Sequence, residues 1–426
     1  MRFLNSYSFL AFFLLFPLLS IKSQDFWEQL YFPDSTAIRC IAVNDQGDIF
    51  VGAANDGVSG GVYRSTDTAQ TWELVLDLGE FSAHSISINE NGYIYVGITG
   101  SYNFMVSQDY GENWNALILP SNGNVSSIQC IGSDTVLAGL AVSNGALLLR
   151  SIDGGQNWDS VFVTIGHPGE NISDIALSSS GKIYFSMMCF FPDMGGIYKS
   201  ENGGDTWDYV GLINHQVHSV EFNSNDDLFI GVWSDFIYTT GGLYAIFNGS
   251  DSIEELITGP SVTEMVINSN DDIYFADVPA GIIRSEDNGQ TFEYVNEGLS
   301  GEVGIMSIDS QGFIYLASSN SNNLARSINP TITGIETKPL TALGYSIKIV
   351  PNPATDYFAL TLPEEPTLSK SYTIYIYDVS GNLFFEETKV INGNSFQQDI
   401  SKLATGVYFI KIVNENLLVT AKFIKK

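Results

Sequence analysis

Positive charge is what this 426-residue chain has least of: 18 Lys and Arg stand against 48 Asp and Glu, a formal net charge of −30. A field of that sign repels phosphate backbones and anionic lipid, so nucleic-acid binding and direct membrane adsorption are both disfavoured. Cysteine is almost as scarce. Cys40, Cys130 and Cys189 are an odd number that cannot all pair within one chain, and no Cys-x-x-Cys spacing accompanies them. Buried thiols inside strands are therefore expected rather than a disulfide framework or a structural zinc. Long apolar runs are missing after the first two dozen residues, so no helix is expected to cross a membrane. No Gly-rich loop follows a strand and opens a helix, and no Gly-x-Ser-x-Gly elbow occurs, which leaves nucleotide and hydrolase-triad chemistry without support.

What remains is 44% hydrophobic and 13% aromatic, a composition that rules out disorder and predicts two or three domains with cores of their own. Residues 1–24 have the layout of a secretory signal peptide: Arg2, an apolar run from Phe9 to Leu19, and the small Ser23 before Gln24. No Cys follows that run at the position of a lipid anchor. Charge is uneven beyond it. Residues 24–330 hold 39 acidic residues against seven basic ones, whereas 347–426 hold eight of each. The two regions are compositionally different bodies.

One short pattern recurs along the acidic region: STDTAQTW from Ser65, SQDYGENW from Ser107, SIDGGQNW from Ser151, SENGGDTW from Ser200 and SEDNGQTF from Ser285. The starts lie 42, 44, 49 and 85 residues apart, so the last interval is two periods. A second pattern keeps the same beat, an apolar run after a polar turn, in seven copies beginning at Gly47, Gly92, Asp134, Gly181, Asp227, Asp272 and Gly312. A repeat of this length suits one four-stranded propeller blade, and seven copies predict seven blades. The seventh copy ends at Ser327 with no outer strand of its own. Trp27-Glu28-Gln29-Leu30 matches Trp72-Glu73-Leu74-Val75 one period away, so the N-terminal segment is expected to close the last blade.

The eight-residue elements resemble the Asp-box (BNR-type) repeats of sialidase-like propellers over most of residues 25–328. The resemblance implies that Ser65, Asp67, Trp72, Ser107, Asp109, Trp114, Ser151, Asp153, Trp158, Ser200, Trp207, Ser285, Asp287 and Phe292 staple turns between third and fourth strands, opposite the ligand face. Ala69, Asn202 and Phe292 depart from the pattern, and blade five (Val232 to Leu256) has no recognisable copy. After a linker at 329–346, residues 347–426 alternate short strands and turns, as in a small antiparallel Ig-like β-sandwich. The motifs VPNPATDYF, YDVSGN and LATGVYF and the basic end resemble the type A C-terminal sorting domain of the type IX secretion system. That likeness implies the secretion machinery as a partner, and a secreted or cell-surface protein.

Aligning the inner strands puts Arg39, His84, Ser126, Ser173, His218, Thr263 and Gly304 at one position, with Asp174 and Glu264 one residue later and Glu221 three beyond His218. Arg39, His84, His218 and Trp233 are the candidates for ligand contact. Asp174, Glu221 and Glu264 are the candidate catalytic residues for a glycoside hydrolase, which needs two carboxyl groups flanking the scissile bond. Loops between second and third strands offer Tyr102, Phe104, Phe190, Phe191, Trp233 and Phe236 as exposed aromatics. All four histidines, His84, His167, His215 and His218, fall on the lead into inner strands. A sialidase is disfavoured, because Arg64, Arg150, Lys199, Arg284 and Arg326 belong to the repeat and leave Arg39 and Lys182 too few for an arginine triad. The expectation is an all-β, seven-bladed propeller that binds an extracellular glycan or protein without cleaving it, a glycoside hydrolase being the alternative. No cofactor is expected, although Asp226, Asp227, Asp271 and Asp272 offer a calcium possibility.

Overall fold

The computed structural model describes residues 25–331, apart from 34–35, 55–59, 100–103, 166–167, 190–194 and 235–239, and residues 348–426, apart from 351–352, 362–369, 379–382, 392–394 and 415–416. The signal-peptide segment, residues 332–346 of the linker, Tyr102, His167, Phe190, Phe191 and Phe236 lie outside the described residues. The chain divides into two units, 1–334 and 335–426.

The first unit is a ring of seven four-stranded antiparallel sheets. Six are built from consecutive strands, as in Ile38–Val43, Ile49–Ala53, Gly60–Ser65 and Glu73–Gly79 of blade one. The seventh takes its outer strand from the other end of the propeller: Trp27–Leu30 pairs antiparallel with Leu324–Ser327, Trp27 opposite Ser327 and Leu30 opposite Leu324. Trp27 is 1% exposed and its indole N–H donates to Val295 O. The N-terminal segment thus removes the open sheet edge that a seventh three-stranded blade would leave.

The second strand of each blade is the buried one. Ile49–Ala53, Ile94–Ile98 and Ile273–Asp277 are buried at every residue, because both faces of the sheet are covered by neighbouring blades. Glycine recurs there for want of space. A Cβ on Gly97 would stand 2.6 Å from Val125 Cγ1 of the next blade, and Gly139 and Gly231 meet Ile172 and Val262 in the same way.

The turns from first to second strand share a device. Asn44, Asn89, Asn223 and Asn268 each turn their side-chain oxygen back onto two backbone N–H groups, as where Asn44 Oδ1 accepts from Gln46 and Asp48 at 3.0 and 2.8 Å. Asp309 does the same in blade seven. These are Asx turns, which fix a hairpin without needing a long loop.

The second unit is a β-sandwich of a three-stranded and a four-stranded antiparallel sheet, the latter in the order Leu383–Ile391, Lys370–Asp378, Gly406–Asn414, Leu417–Lys425. Phe358, Leu360, Ile374, Ile376 and Ile410 are fully buried in its core. No described helix is long and apolar enough to cross a membrane.

Candidate functional site

Two faces of the propeller carry different chemistry. On the first, five turns between third and fourth strands repeat one hydrogen-bond pattern. In blade three Ser151 Oγ donates to Asp153 Oδ1 at 2.8 Å and accepts from Gly155 N at 2.8 Å, while Asp153 accepts from Asn157 N at 2.9 Å and Asn157 Nδ2 at 2.7 Å. Ser65, Ser107, Ser200 and Ser285 head the same network. Hydrogen bonds from Asn157 and Ser151 hold the Asp153 carboxyl down at about 2, and those from Thr291 hold Asp287 at about 2.

The departures from the pattern are absorbed. Asn202 still accepts from Thr206 N at 3.0 Å, and Ala69 takes the left-handed φ of 63° that glycine has elsewhere. The aromatics Trp72, Trp114, Trp158, Trp207 and Phe292 are half-buried against a neighbouring blade's core; Trp158 meets Phe104 edge-on at 5.2 Å. Arg64 and Arg150 pair with Glu112 and Asp205 of the next blade's turn, both at 2.7 Å, and Arg326 pairs with Glu28. These basic residues are spent on the repeat. Asp226 and Asp271 accept from Ser179 N and Ser224 N of the preceding blade at 2.7 and 2.8 Å. Among the described residues no cluster of three or more His, Cys, Asp or Glu is arranged to hold a metal ion.

The opposite face is the mouth of the central channel, and there the inner strands break their register. Arg39, His84, Ser126, Ser173 and His218 each sit in a β-bulge of their own strand, and in blade six Thr263 and Glu264 both fall within the irregular stretch. A bulge adds a residue that the ladder does not pair and re-aims its side chain. The bulged hydroxyls tie each blade to the next: Ser126 Oγ donates to Ile172 O at 2.8 Å, Ser173 Oγ to Val217 O at 2.6 Å and Thr263 Oγ1 to Gly304 O at 3.1 Å. A cavity of 410 Å³ opens where they converge, lined by Arg39, His84, Asn171, Ser173, Asp174, His218, Thr263 and Glu264 among others.

Asp174 and Glu264 line it, and Glu221, outside its lining, interacts electrostatically with both. Asp174 Oδ2 accepts from Val220 N of the next blade at 2.9 Å, and its Oδ1 from Ile175 N at 2.8 Å. Burial nonetheless pushes the Asp174 carboxyl up to about 6. Burial, then the charge of Asp174, pushes Glu221 up to about 8, and burial with both neighbours' charges holds Glu264 well above the usual carboxylate range. All three keep a partly accessible surface, since protein surrounds them on every side but the channel.

His218 lies under Trp233, ring centroids 5.8 Å apart, and burial alone pushes its imidazole down to about 4, so it is neutral at physiological pH. Its Nε2 and Asn171 Oδ1 are buried with no hydrogen-bond partner. Arg39 donates to Ser319 O at 3.1 Å, and burial followed by the Arg39 charge lowers the titration of His84.

Three expectations need correction. Phe104 is not an exposed loop aromatic: it opens the third strand Phe104–Ser107, is fully buried and packs between Tyr95 and Trp158. His84 and His218 lie inside the inner strands, in the bulges, and of the three described histidines His215 alone is in a loop before one. Of the cysteines, Cys40 is buried in a strand and Cys130 half-buried in one, but Cys189 follows the end of Ile183–Met188. The repeat did not announce the orphaned oxygen of Asn171 or the Asx-turn asparagines; an Asn at a fixed offset before four of the seven apolar runs was the available signal for the latter.

Comparison with known proteins separates the two units. The chain is 31% identical over 160 residues to a photosystem II assembly lipoprotein, Ycf48, of Synechococcus sp. (strain CC9902), a match covering 36% of this chain and 44% of that relative. The alignment thus spans less than half of that protein's length. Among solved structures, YCF48 bound to D1 peptide superposes with a TM-score of 0.56 at 18% identity, covering 72% of this chain and 98% of that one. PorZ, a surface component of the type IX secretion system of Porphyromonas gingivalis, superposes with a TM-score of 0.53 at 14% identity, covering 94% and 59%. At such identities the structures establish the propeller fold. Residues 348–426 match the secretion system C-terminal sorting domain family. The protein therefore carries a C-terminal sorting domain on a seven-bladed propeller and is delivered by type IX secretion to the cell surface or the extracellular space.

Proposed function

We propose that this protein is an extracellular binding propeller that holds a protein segment at its channel mouth and does not cleave it. The observation that carries the reading is the mouth cavity, where buried polar atoms of the lining residues Asn171 and His218 lack partners. A buried polar atom left unpaired costs stability that a bound ligand would recover. Four successive crossover loops on this face also expose large apolar side chains, Phe81 at 39%, Ile118 at 81%, Ile165 at 75% and Ile213 at 46%. Such residues suit a protein partner better than a neutral glycan. The relatives named for assembly and for peptide binding agree in kind. The eight-residue turns are read as Asp-boxes of the BNR type, a scaffold that takes no part in binding.

The secreted protein is tested on an immobilised peptide array and, in parallel, on neutral and acidic polysaccharides assayed for new reducing ends. Peptide retention without sugar release is expected. A hydrolase is the second reading, supported by the raised carboxyl groups of Asp174 and Glu264, since a general acid must hold its proton near neutrality. Reducing ends whose release disappears in Asp174→Asn or Glu264→Gln would replace the first reading with the second.

A further inference from the structure

The mouth cavity is not symmetric. Its basic groups, Arg39 and His84, come from blades one and two, and its acidic groups, Asp174 and Glu264, come from blades four and six. In a seven-membered ring these sets face each other across the channel. Glu221 stands in blade five between the two acids and interacts with both. His218, beside them, is uncharged, and no Lys or Arg lines the cavity on that side. Three carboxyl groups in one wall without a cation are an unusual arrangement, because like charges at close range oppose one another and a buried charge is ordinarily paired.

Two further observations point to a ligand rather than to a sealed core. Asp174 and Glu264 line a cavity of 410 Å³, enough for a side chain with its head group. Asn171 Oδ1, an acceptor with no partner, lies on the same rim, and the enclosed imidazole of His218 adds Nε2, also without one. Asn171 Oδ1 is an acceptor without a donor in a cavity that two carboxyl groups also line. A primary ammonium carries three N–H donors and no acceptor, which matches a lining of carboxyl groups and an amide oxygen.

We propose that Asp174 and Glu264, with the charge of Glu221 acting on both, seat a primary ammonium group of the protein ligand, a lysine side chain or a chain amino terminus, with Asn171 Oδ1 as an additional acceptor. The inference rests on the binding reading above and names the chemistry of that site. Glu221 and Glu264 hold protons at neutral pH, because burial and the charge of Asp174 raise both, while burial alone raises Asp174 to about 6. An arriving ammonium favours their ionised forms, so binding expels protons and strengthens as pH rises. Arg39 and His84 face the wall from across the channel. They leave the ammonium on the acidic side and the ligand's carbonyl groups toward the basic side.

The test is calorimetry on the full secreted chain with three probes: acetyl-Gly-Lys-Gly-amide, Gly-Gly-Gly-amide with a free amino terminus, and acetyl-Gly-norleucine-Gly-amide. At least one of the first two binds tenfold or more tighter than the norleucine peptide, tighter at pH 8 than at pH 5.5. The measured enthalpy shifts between phosphate and Tris buffer in the direction of proton release. Preference between the first two identifies side chain or terminus as the source. Asp174→Asn with Glu264→Gln removes the preference; were that variant to misfold, the norleucine comparison on the unaltered chain decides alone. Equal binding of all three probes, or binding of none, overturns the ammonium site. Sugar release on the polysaccharide panel overturns the binding-only reading and leaves the ammonium result to stand on its own.

Discussion

Every inner strand of the propeller runs between the two faces, yet one end of it is uniform and the other is not. At the turn face Asp67, Asp109, Asp153, Asn202 and Asp287 accept from backbone N–H groups, Arg64, Arg150, Lys199, Arg284 and Arg326 pair with acids, and five turns repeat one network. At the mouth the same strands bulge, and the residue in the bulge is Arg, His, Ser, His or Thr according to the blade. Satisfied groups stabilise a ring whatever it binds. Unsatisfied and enclosed ones cost stability, and proteins keep that kind of cost where function needs it. The repeat therefore marks the scaffold, and the departures from it mark the site.

The strongest way to break the comparison is to remove the frame that both faces share. Trp27→Ala empties a fully enclosed indole site at the ring closure and is expected to cost about 4 kcal/mol, read as a lower urea midpoint with peptide affinity lost only as the fold is lost. An unchanged midpoint would mean that the N-terminal strand does not close the ring.

Next in size is the pH response of the mouth. Carboxyl groups whose folded values are raised leave the native state holding more protons than the unfolded chain, so stability falls as pH rises from about 4 through about 8. Replacing Asp174, Glu221 and Glu264 together by Asn, Gln and Gln should stabilise the protein by roughly 3 kcal/mol at pH 8 and by little at pH 4, after allowing for channel water. The turn aspartates act with the opposite sign. Their folded values are depressed, so their contribution is complete above the ordinary carboxylate range and is lost as pH falls toward about 2. A triple variant destabilised at pH 8 would show that the mouth carboxyl groups are not held protonated.

Smaller again is Ser151→Ala, which strands Gly155 N and leaves Asp153 Oδ1 only its bond from Asn157 N; about 2 kcal/mol of stability should go, with affinity at the mouth unchanged. A loss of affinity without loss of stability would erase the division between the faces. The smallest effect belongs to Ala69→Gly, where relief at a φ of 63° is expected to stabilise by at most about 1 kcal/mol, seen as a slight rise in Tm.

Much of this was legible in the sequence because a propeller is written in local, periodic signals. Apolar runs and turn residues recur blade by blade, so their count fixes the number of sheets, and the odd match of Trp27 to Trp72 locates the closure. The alignment that put Arg39, His84, Ser126, Ser173 and His218 at one position found the bulges without knowing they were bulges, since equivalent residues of a closed ring must lie at one height. Asp174 and Glu264 came together for the same reason, whereas Glu221, three residues beyond His218, is not at that height. Phe104 misled because a residue opening a strand reads like the end of a loop when the loop before it is short and polar. The orphaned atoms at Asn171 and His218 had no sequence signal at all: whether a polar atom finds a partner depends on distances between blades, which no spacing along the chain encodes.

The difference between the two faces can be read in one titration, by following the side-chain carboxyl carbons of the labelled protein by NMR from pH 2 to pH 9. The account predicts that Asp153 and Asp287 are still ionised near pH 3, while Glu221 releases its proton only near pH 8 and does so earlier once an ammonium-bearing peptide is bound. Carboxyl groups on both faces titrating together between about pH 3.5 and 4.5, the ordinary range, would contradict it.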